Sequence, residues 1–124
     1  MAIEKPYKIT IEDRGDYVYV LVGGEQLTAF IAAAYWNEIA EKCFELEKNK
    51  ILIEKDFEES VSAAEMLQMS SHLGQLFASH RIAFVDRHGH DEINELGKKL
   101  ARNRQVMLQV FKNFIDAEHW LLAN

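Results

Sequence analysis

Residues 17–24 read Tyr-Val-Tyr-Val-Leu-Val-Gly-Gly, six apolar residues in a row stopped by two glycines. A short run of β-branched, aromatic and aliphatic residues bounded by turn formers suits a strand covered on both faces. Beyond the glycines the spacing changes. Ala32, Tyr35, Trp36, Ile39, Cys43 and Leu46 recur at three- and four-residue steps, with Glu38, Glu41, Lys42, Glu45 and Lys48 opposite them. That period describes one long amphipathic helix. It puts Cys43 on the apolar stripe, where a thiol behaves as a small hydrophobe rather than a nucleophile.

Working back from residue 17, Tyr7–Asp13 alternates, with Tyr7, Ile9 and Ile11 on one side and Lys8, Thr10 and Glu12 on the other. This is a half-buried strand, and Arg14-Gly15-Asp16 reads as the turn of a hairpin rather than as an adhesion motif. Working forward, Ile51–Ile53 is a short buried strand ending in the charged Glu54-Lys55-Asp56. Ser62 with Glu65 three residues on is a capping box, opening a helix that turns Ala63, Met66, Met69, Leu73, Leu76 and Phe77 inward. Arg81–Asp86 is a strand. A helix capped by Asp91 follows, with Ile93, Leu96, Leu100 and Ala101 on one side and Lys98, Lys99 and Arg102 on the other. Val106–Phe111 is the last strand, and Ala117, Trp120 and Leu121 mark a short closing helix. The order β-β-α-β-α-β-α-β-α predicts a single α/β domain over residues 1–124. Its sheet is mixed but mainly parallel, with the N-terminal hairpin antiparallel at one edge.

The chain of 124 residues is 48% hydrophobic and carries a net charge of −6. A chain of that length buries roughly two-thirds of its unfolded surface. The acidic balance and the lack of a dense Lys/Arg run argue against nucleic acid and anionic membranes as partners. No apolar run approaches the roughly 20 residues that span a bilayer. The opening Met-Ala-Ile-Glu-Lys-Pro lacks the apolar core of a secretory signal, and the single cysteine permits no internal disulfide. A cytoplasmic setting is the expectation.

Catalytic motifs are missing. No Gly-x-Ser-x-Gly elbow and no phosphate-cradling loop are present. His88 and His90, with Asp56, Glu54 and Asp86 at strand ends, gather at the carboxyl edge of the sheet, where open α/β sheets bind ligands. His80 lies at the other end of its strand, roughly 20 Å away at about 3.3 Å per residue. Neither a metal site nor a cofactor is expected, and the acidic residues read as solvated loop ends. The helix after Ser62 is more unusual. Gln68, Ser71, His72 and Gln75 make its outer face polar but uncharged, with Leu67 and Gly74 at the border. Depletion of charge marks the centre of partner surfaces, although cover by neighbouring elements or a dimer mate would explain it equally.

The stretches Arg81-Ile82-Ala83-Phe84-Val85-Asp86-Arg87, Ala101-Arg102-Asn103-Arg104, Val110-Phe111 and Ala117-Glu118-His119-Trp120-Leu121 resemble a group of uncharacterised bacterial proteins. These have the fold of the sporulation anti-anti-sigma factor, the SpoIIAA-like or STAS/SEC14-like domains. The resemblance implies a regulatory or interaction module without enzymatic activity. In sigma-factor antagonists an Asp-Ser-Ser-Gly motif opens the second helix and its serine is phosphorylated. Here the stretch reads Asp56-Phe57-Glu58-Glu59-Ser60-Val61-Ser62-Ala63-Ala64, without contiguous serines or the glycine. Ser62 is therefore read as a helix cap, with Ser60 the other candidate phosphosite. The expected interaction surface comprises Ser60, Ser62, Leu67, Gln68, Ser71, His72 and Gln75, engaging a protein partner or a second copy in a homodimer. The SEC14-like comparison implies the alternative, a small apolar, lipid-like ligand held near Phe30, Tyr35 and Phe77.

Overall fold

The computed structural model describes residues 5–123. Its elements are β1 (Lys8–Asp13), β2 (Val18–Gln26), α1 (Ala29–Leu46), β3 (Lys50–Glu59), α2 (Ala63–Phe77), β4 (Arg81–Asp86), α3 (Asp91–Arg102), β5 (Met107–Phe111) and α4 (Phe114–Leu122). They form a five-stranded sheet of order β1-β2-β3-β4-β5. The β1–β2 pair is antiparallel and the other three pairs are parallel. Element order, mixed sheet and antiparallel edge agree with the sequence reading.

The hairpin turns at Gly15, whose φ of +85° suits a residue without a Cβ. Alternation then sorts the strand residues onto two faces. Val18, Val20, Val22, Ile51, Ile53, Phe57, Ile82 and Phe84 meet Ile31, Tyr35, Trp36 and Ile39 of α1, Met66, Leu73 and Phe77 of α2, and Ala101 of α3. Tyr17, Tyr19, Leu52, Ala83 and Val85 meet Ala117 and Leu121 of α4 on the other face. Three crossover helices share one face because each parallel step runs in the same direction and the hand of the crossover is fixed. Such a sheet has no position at which the strand order reverses. The crevice of doubly wound folds, on which the carboxyl-edge expectation rested, is therefore not formed here.

Two strands run further than their sequences suggested. β2 continues through Gly23 and Gly24, where a Cβ on Gly23 would lie 2.5 Å from the Asp56 carbonyl oxygen. Glycine here lets β2 approach β3. β3 does not stop at Ile53 but continues to Glu59, because alternation survives the charged triplet: Lys55 and Phe57 point inward after Ile51 and Ile53, 1% and 0% exposed. Helix starts also differ in part. Ser62 does cap α2, leaving Ala63 exposed in the first turn instead of in the core. Asp91 does not cap α3; it is the first helical residue, and the N-cap is His90, in the left-handed region at φ 41° with no side-chain cap bond.

Candidate functional site

Two regions collect the residues singled out from sequence. The first is the outer surface of α2. At its start the Ser62 hydroxyl accepts the Glu65 amide at 3.2 Å, and the Glu65 carboxylate accepts the Ser62 amide in return. The same carboxylate accepts the Ala29 amide at 3.1 Å, so Glu65 ties together the first turns of α1 and α2. These backbone hydrogen bonds, from Ala29 and then Ser62, hold its carboxyl below the usual range. Ser60 precedes the cap with its hydroxyl oxygen buried and without a partner among the described residues. Of the two candidate serines, one is thus enclosed and the other engaged in a cap.

Leu67, Gln68, Ser71 and Gln75 are exposed along α2, while His72 is half-buried with Nε2 3.2 Å from Asn37 Oδ1 of α1. Arg104, distant in sequence, donates to the Ser71 hydroxyl at 3.2 Å and brings a charge to one end of this surface. Toward α1 the surface dips into a groove lined by Ala29, Phe30, Ala33, Trp36, Gln68, Met69 and His72, none of them an acidic or basic side chain apart from the imidazole. Phe30 is 81% exposed on its rim and Leu67 54% exposed nearby. The expected aromatic pocket does not form. Phe30 faces this outer groove, Phe77 is fully buried in the core, and only Tyr35 borders an internal cavity.

The second region lies at the carboxyl ends of β3 and β4, and it is less solvated than expected. The Asp86 side chain is only 2% exposed. One of its oxygens, Oδ1, accepts the His88 amide at 2.9 Å; the other, Oδ2, accepts Asn94 Nδ2 at 2.9 Å and His90 Nδ1 at 2.8 Å. The second ring nitrogen of His90 lies 3.1 Å from the Glu58 carbonyl oxygen, so the ring bridges β4 to the end of β3. Nearby, Asp56 meets His88 Nε2 at 2.7 Å, and Glu54 accepts from Tyr19 at 2.9 Å and Arg87 at 3.0 Å. Asp56, Asp86, His88 and His90 are thus brought together, with Asp86 and His90 engaged by one another, Asn94 and the backbone, and Asp56 and His88 joined through one oxygen and one ring nitrogen. Among the described residues no group of three or more His, Cys, Asp and Glu is disposed to hold a metal ion.

Sequence reasoning missed the centre of this region. Lys55 sits opposite Asp86 in the β3–β4 register, its Nζ 3.8 Å from Oδ2 and 5.1 Å from the centre of the Phe84 ring. Burial pushes its ammonium down to about 8, partly offset by the Asp86 charge. Burial works against the Asp86 carboxylate too, but hydrogen bonds from Asn94 and the His88 amide, with the Lys55 charge, hold its carboxyl below the ordinary value. Lys55 and Asn94 border a cavity between the sheet, α2 and α3, otherwise walled mainly by Trp36, Met66, Met69, Leu73, Leu108 and Val110. The signal that would have found Lys55 was the alternation Ile51, Ile53, Lys55, Phe57, carried through the charges instead of ended by them.

Comparison with known proteins adds the fold's relatives. An anti-sigma factor antagonist from Mycobacterium paratuberculosis matches with a TM-score of 0.63 at 11% identity, over 99% of this chain and 100% of that one. An uncharacterized protein of the DUF3478 family from Shewanella loihica PV-4, with a SpoIIAA-like fold, matches at 0.57 and 19% identity over 98% of both chains. No protein-family model and no curated protein sequence matches the chain. At these identities the likeness establishes the fold, which is SpoIIAA-like. It also agrees with the resemblance read from the C-terminal half of the sequence.

Proposed function

We propose that this protein is a cytoplasmic, non-enzymatic regulatory module that docks a protein partner on the outer surface of α2 and its groove against α1. One observation carries the reading: a groove whose walls carry no Asp, Glu, Lys or Arg, rimmed by the 81% exposed Phe30, in a chain that is 27% charged. Apolar, charge-depleted centres with polar borders are what protein interfaces have, and large exposed aromatics supply their anchors. The fold supports the same class, since one structural neighbour is an anti-sigma factor antagonist, a protein named for opposing another protein. The occupant favoured is a different protein with a basic rim. Two copies of a chain of net charge −6 repel one another, whereas a partner with basic residues around its contact surface is attracted. Ser60 and Ser62 enter this reading as structure at the start of α2, not as a phosphorylation switch.

The test is capture and reconstitution. A partner retained by the wild-type chain is identified, purified and bound again in isolation. Phe30→Asp, and Gln68→Glu combined with His72→Glu, are expected to weaken that binding at least tenfold while leaving thermal unfolding unchanged. Sedimentation of the chain alone is expected to give a monomer. Binding untouched by either variant, or a dimer that these variants dissociate, would overturn the heterologous reading.

A second reading, a binding domain for a small apolar ligand, is supported by the cavity bordered by Lys55 and Asn94. Its size changes the ligand class. The cavity leaves about 50 Å³ for the centres of water-sized molecules, a few times the roughly 10–15 Å³ that one water needs. That favours a compact molecule over an acyl chain.

A further inference from the structure

We propose that the cavity between the sheet, α2 and α3 takes a small neutral molecule whose head both accepts and donates a hydrogen bond, an alcohol or a primary amide, seated on Lys55 and Asn94. The proposal rests on the reading of this cavity as a ligand site and adds the chemistry of the head.

Lys55 is 1% exposed and carries three N–H donors. Its nearest charge, Asp86 Oδ2, is 3.8 Å away, beyond hydrogen-bond range, and already accepts from Asn94 and His90. Among the described residues, the Lys55 ammonium makes no hydrogen bond. Asn94 is 4% exposed, and its Nδ2 donates both to Asp86 Oδ2 and to the Gly89 carbonyl at 2.9 Å. Those two bonds fix the amide's orientation and leave Oδ1 buried without a donor. Buried polar groups are nearly always satisfied, so unfilled donors and an unfilled acceptor on two residues that line one cavity point to a ligand that pairs with them. Ser70, also on the cavity wall, adds no demand because its hydroxyl donates to the Leu67 carbonyl at 2.7 Å.

A hydroxyl meets both requirements at once, accepting from Lys55 and donating to Asn94 Oδ1. The two side chains are neighbours, Lys55 Nζ 3.8 Å and Asn94 Nδ2 2.9 Å from Asp86 Oδ2. A carboxylate accepts but has nothing to donate, and it would bring a second anion beside Asp86. An alkane fills the space against Trp36, Met66 and Leu73 but leaves both polar groups unpaired. Water satisfies the head positions and leaves the apolar walls without a body to contact.

The probes are 1-butanol, butanamide, butyrate and cyclopentane, titrated into the full chain with the Met66 and Met69 methyl groups observed by NMR. Butanol and butanamide are expected to shift both methyls saturably, at least about tenfold more tightly than cyclopentane or butyrate. Asn94→Leu and Lys55→Met, each checked for folding by circular dichroism, are expected to abolish that preference and to raise cyclopentane affinity. Should Lys55→Met not fold, the wild-type panel and Asn94→Leu decide the matter. Cyclopentane binding as tightly as butanol would keep the ligand site and sink the head assignment. Butyrate binding best would replace it with an anion site on Lys55. No saturable shift with any probe would mean bound water only, and would overturn both the head assignment and the ligand reading.

Discussion

Lys55 and Asp86 face each other across two neighbouring parallel strands, Nζ to Oδ2 at 3.8 Å, each side chain 2% exposed. A buried pair held at that distance does not recover all the hydration its charges lose, and the lysine bears the deficit because Asp86 has three other hydrogen bonds.

Stability therefore depends on pH in a defined alkaline window. Lys55 is held at about 8 in the folded chain against 10.5 ordinarily, so between those values the unfolded chain binds more protons and stability rises with pH. Cys43, pushed up to about 11 from 9 by burial, acts oppositely as the pH nears 9, because the unfolded thiol ionises first. Tyr7 and Tyr19, raised to about 12 by burial and then by hydrogen bonds to Glu38 and Glu54, add to the loss above pH 10. Unfolding by urea at constant ionic strength is expected to show a net gain of about 0.5 kcal/mol from pH 8 to 9, because the Cys43 thiol offsets part of the gain from Lys55, and a decline above about pH 9.5. In Lys55→Met the gain should vanish; a gain of the same size in that variant would mean another group is responsible.

The capping box at Ser62 gives a second expectation. Ser62→Ala removes the acceptor for the Glu65 amide and should cost about 1 kcal/mol, whereas Ser62→Asp, also a good cap, should stay within a few tenths. Urea midpoints distinguish the two. Equal losses in both would argue against capping as the role of this side chain.

Two phenylalanines on neighbouring helices should behave oppositely. Phe77 is fully buried, with Trp36 edge-on to its ring at 5.2 Å between centroids, and Phe77→Ala should cost about 3–5 kcal/mol. Phe30 is 81% exposed, and Phe30→Ser should change thermal unfolding by less than about 0.5 kcal/mol. A large loss at Phe30 would show that it supports the fold rather than standing free for a partner.

Cys43 offers a chemical check on the packing of α1. It is 2% exposed, and its thiol is raised to about 11. Iodoacetamide at pH 8 should modify it only as fast as the chain opens, and rapidly once urea is added. Fast labelling of the native protein would contradict its burial.

The order of elements was legible because each period is local: alternation in Tyr7–Asp13, three- and four-residue steps from Ala32 to Leu46, and a cap signature at Ser62 whose two bonds span three residues. The interior charge was not. Glu54-Lys55-Asp56 looks like the end of a strand, and only the pairing of β3 with β4 reveals that Lys55 has Asp86 opposite it. Asn94 was hidden similarly, one polar residue on the inner side of α3 whose partners come from β4 and the loop after it. On α2, Gln68, Ser71 and Gln75 are exposed and His72 half-buried, and Arg104 reaching Ser71 and Glu65 reaching Ala29 join segments far apart in the chain. Nothing in a run of neighbouring residues encodes such contacts. Phe30 shows the converse, since hydrophobicity alone does not say which side of a helix's first turn will be covered.

The strand order β1-β2-β3-β4-β5, the same in space as in sequence, also bears on how the chain assembles. Each strand needs only its predecessor as a template, and no strand waits for a later one to be inserted between two already in place. Every parallel closure spans a single helix, which keeps the entropy of loop closure low. The topology thus permits growth in one direction during synthesis, from the β1–β2 hairpin as seed. Of the elements described, α4 follows β5 and packs on the face of β3, β4 and β5 opposite α1–α3.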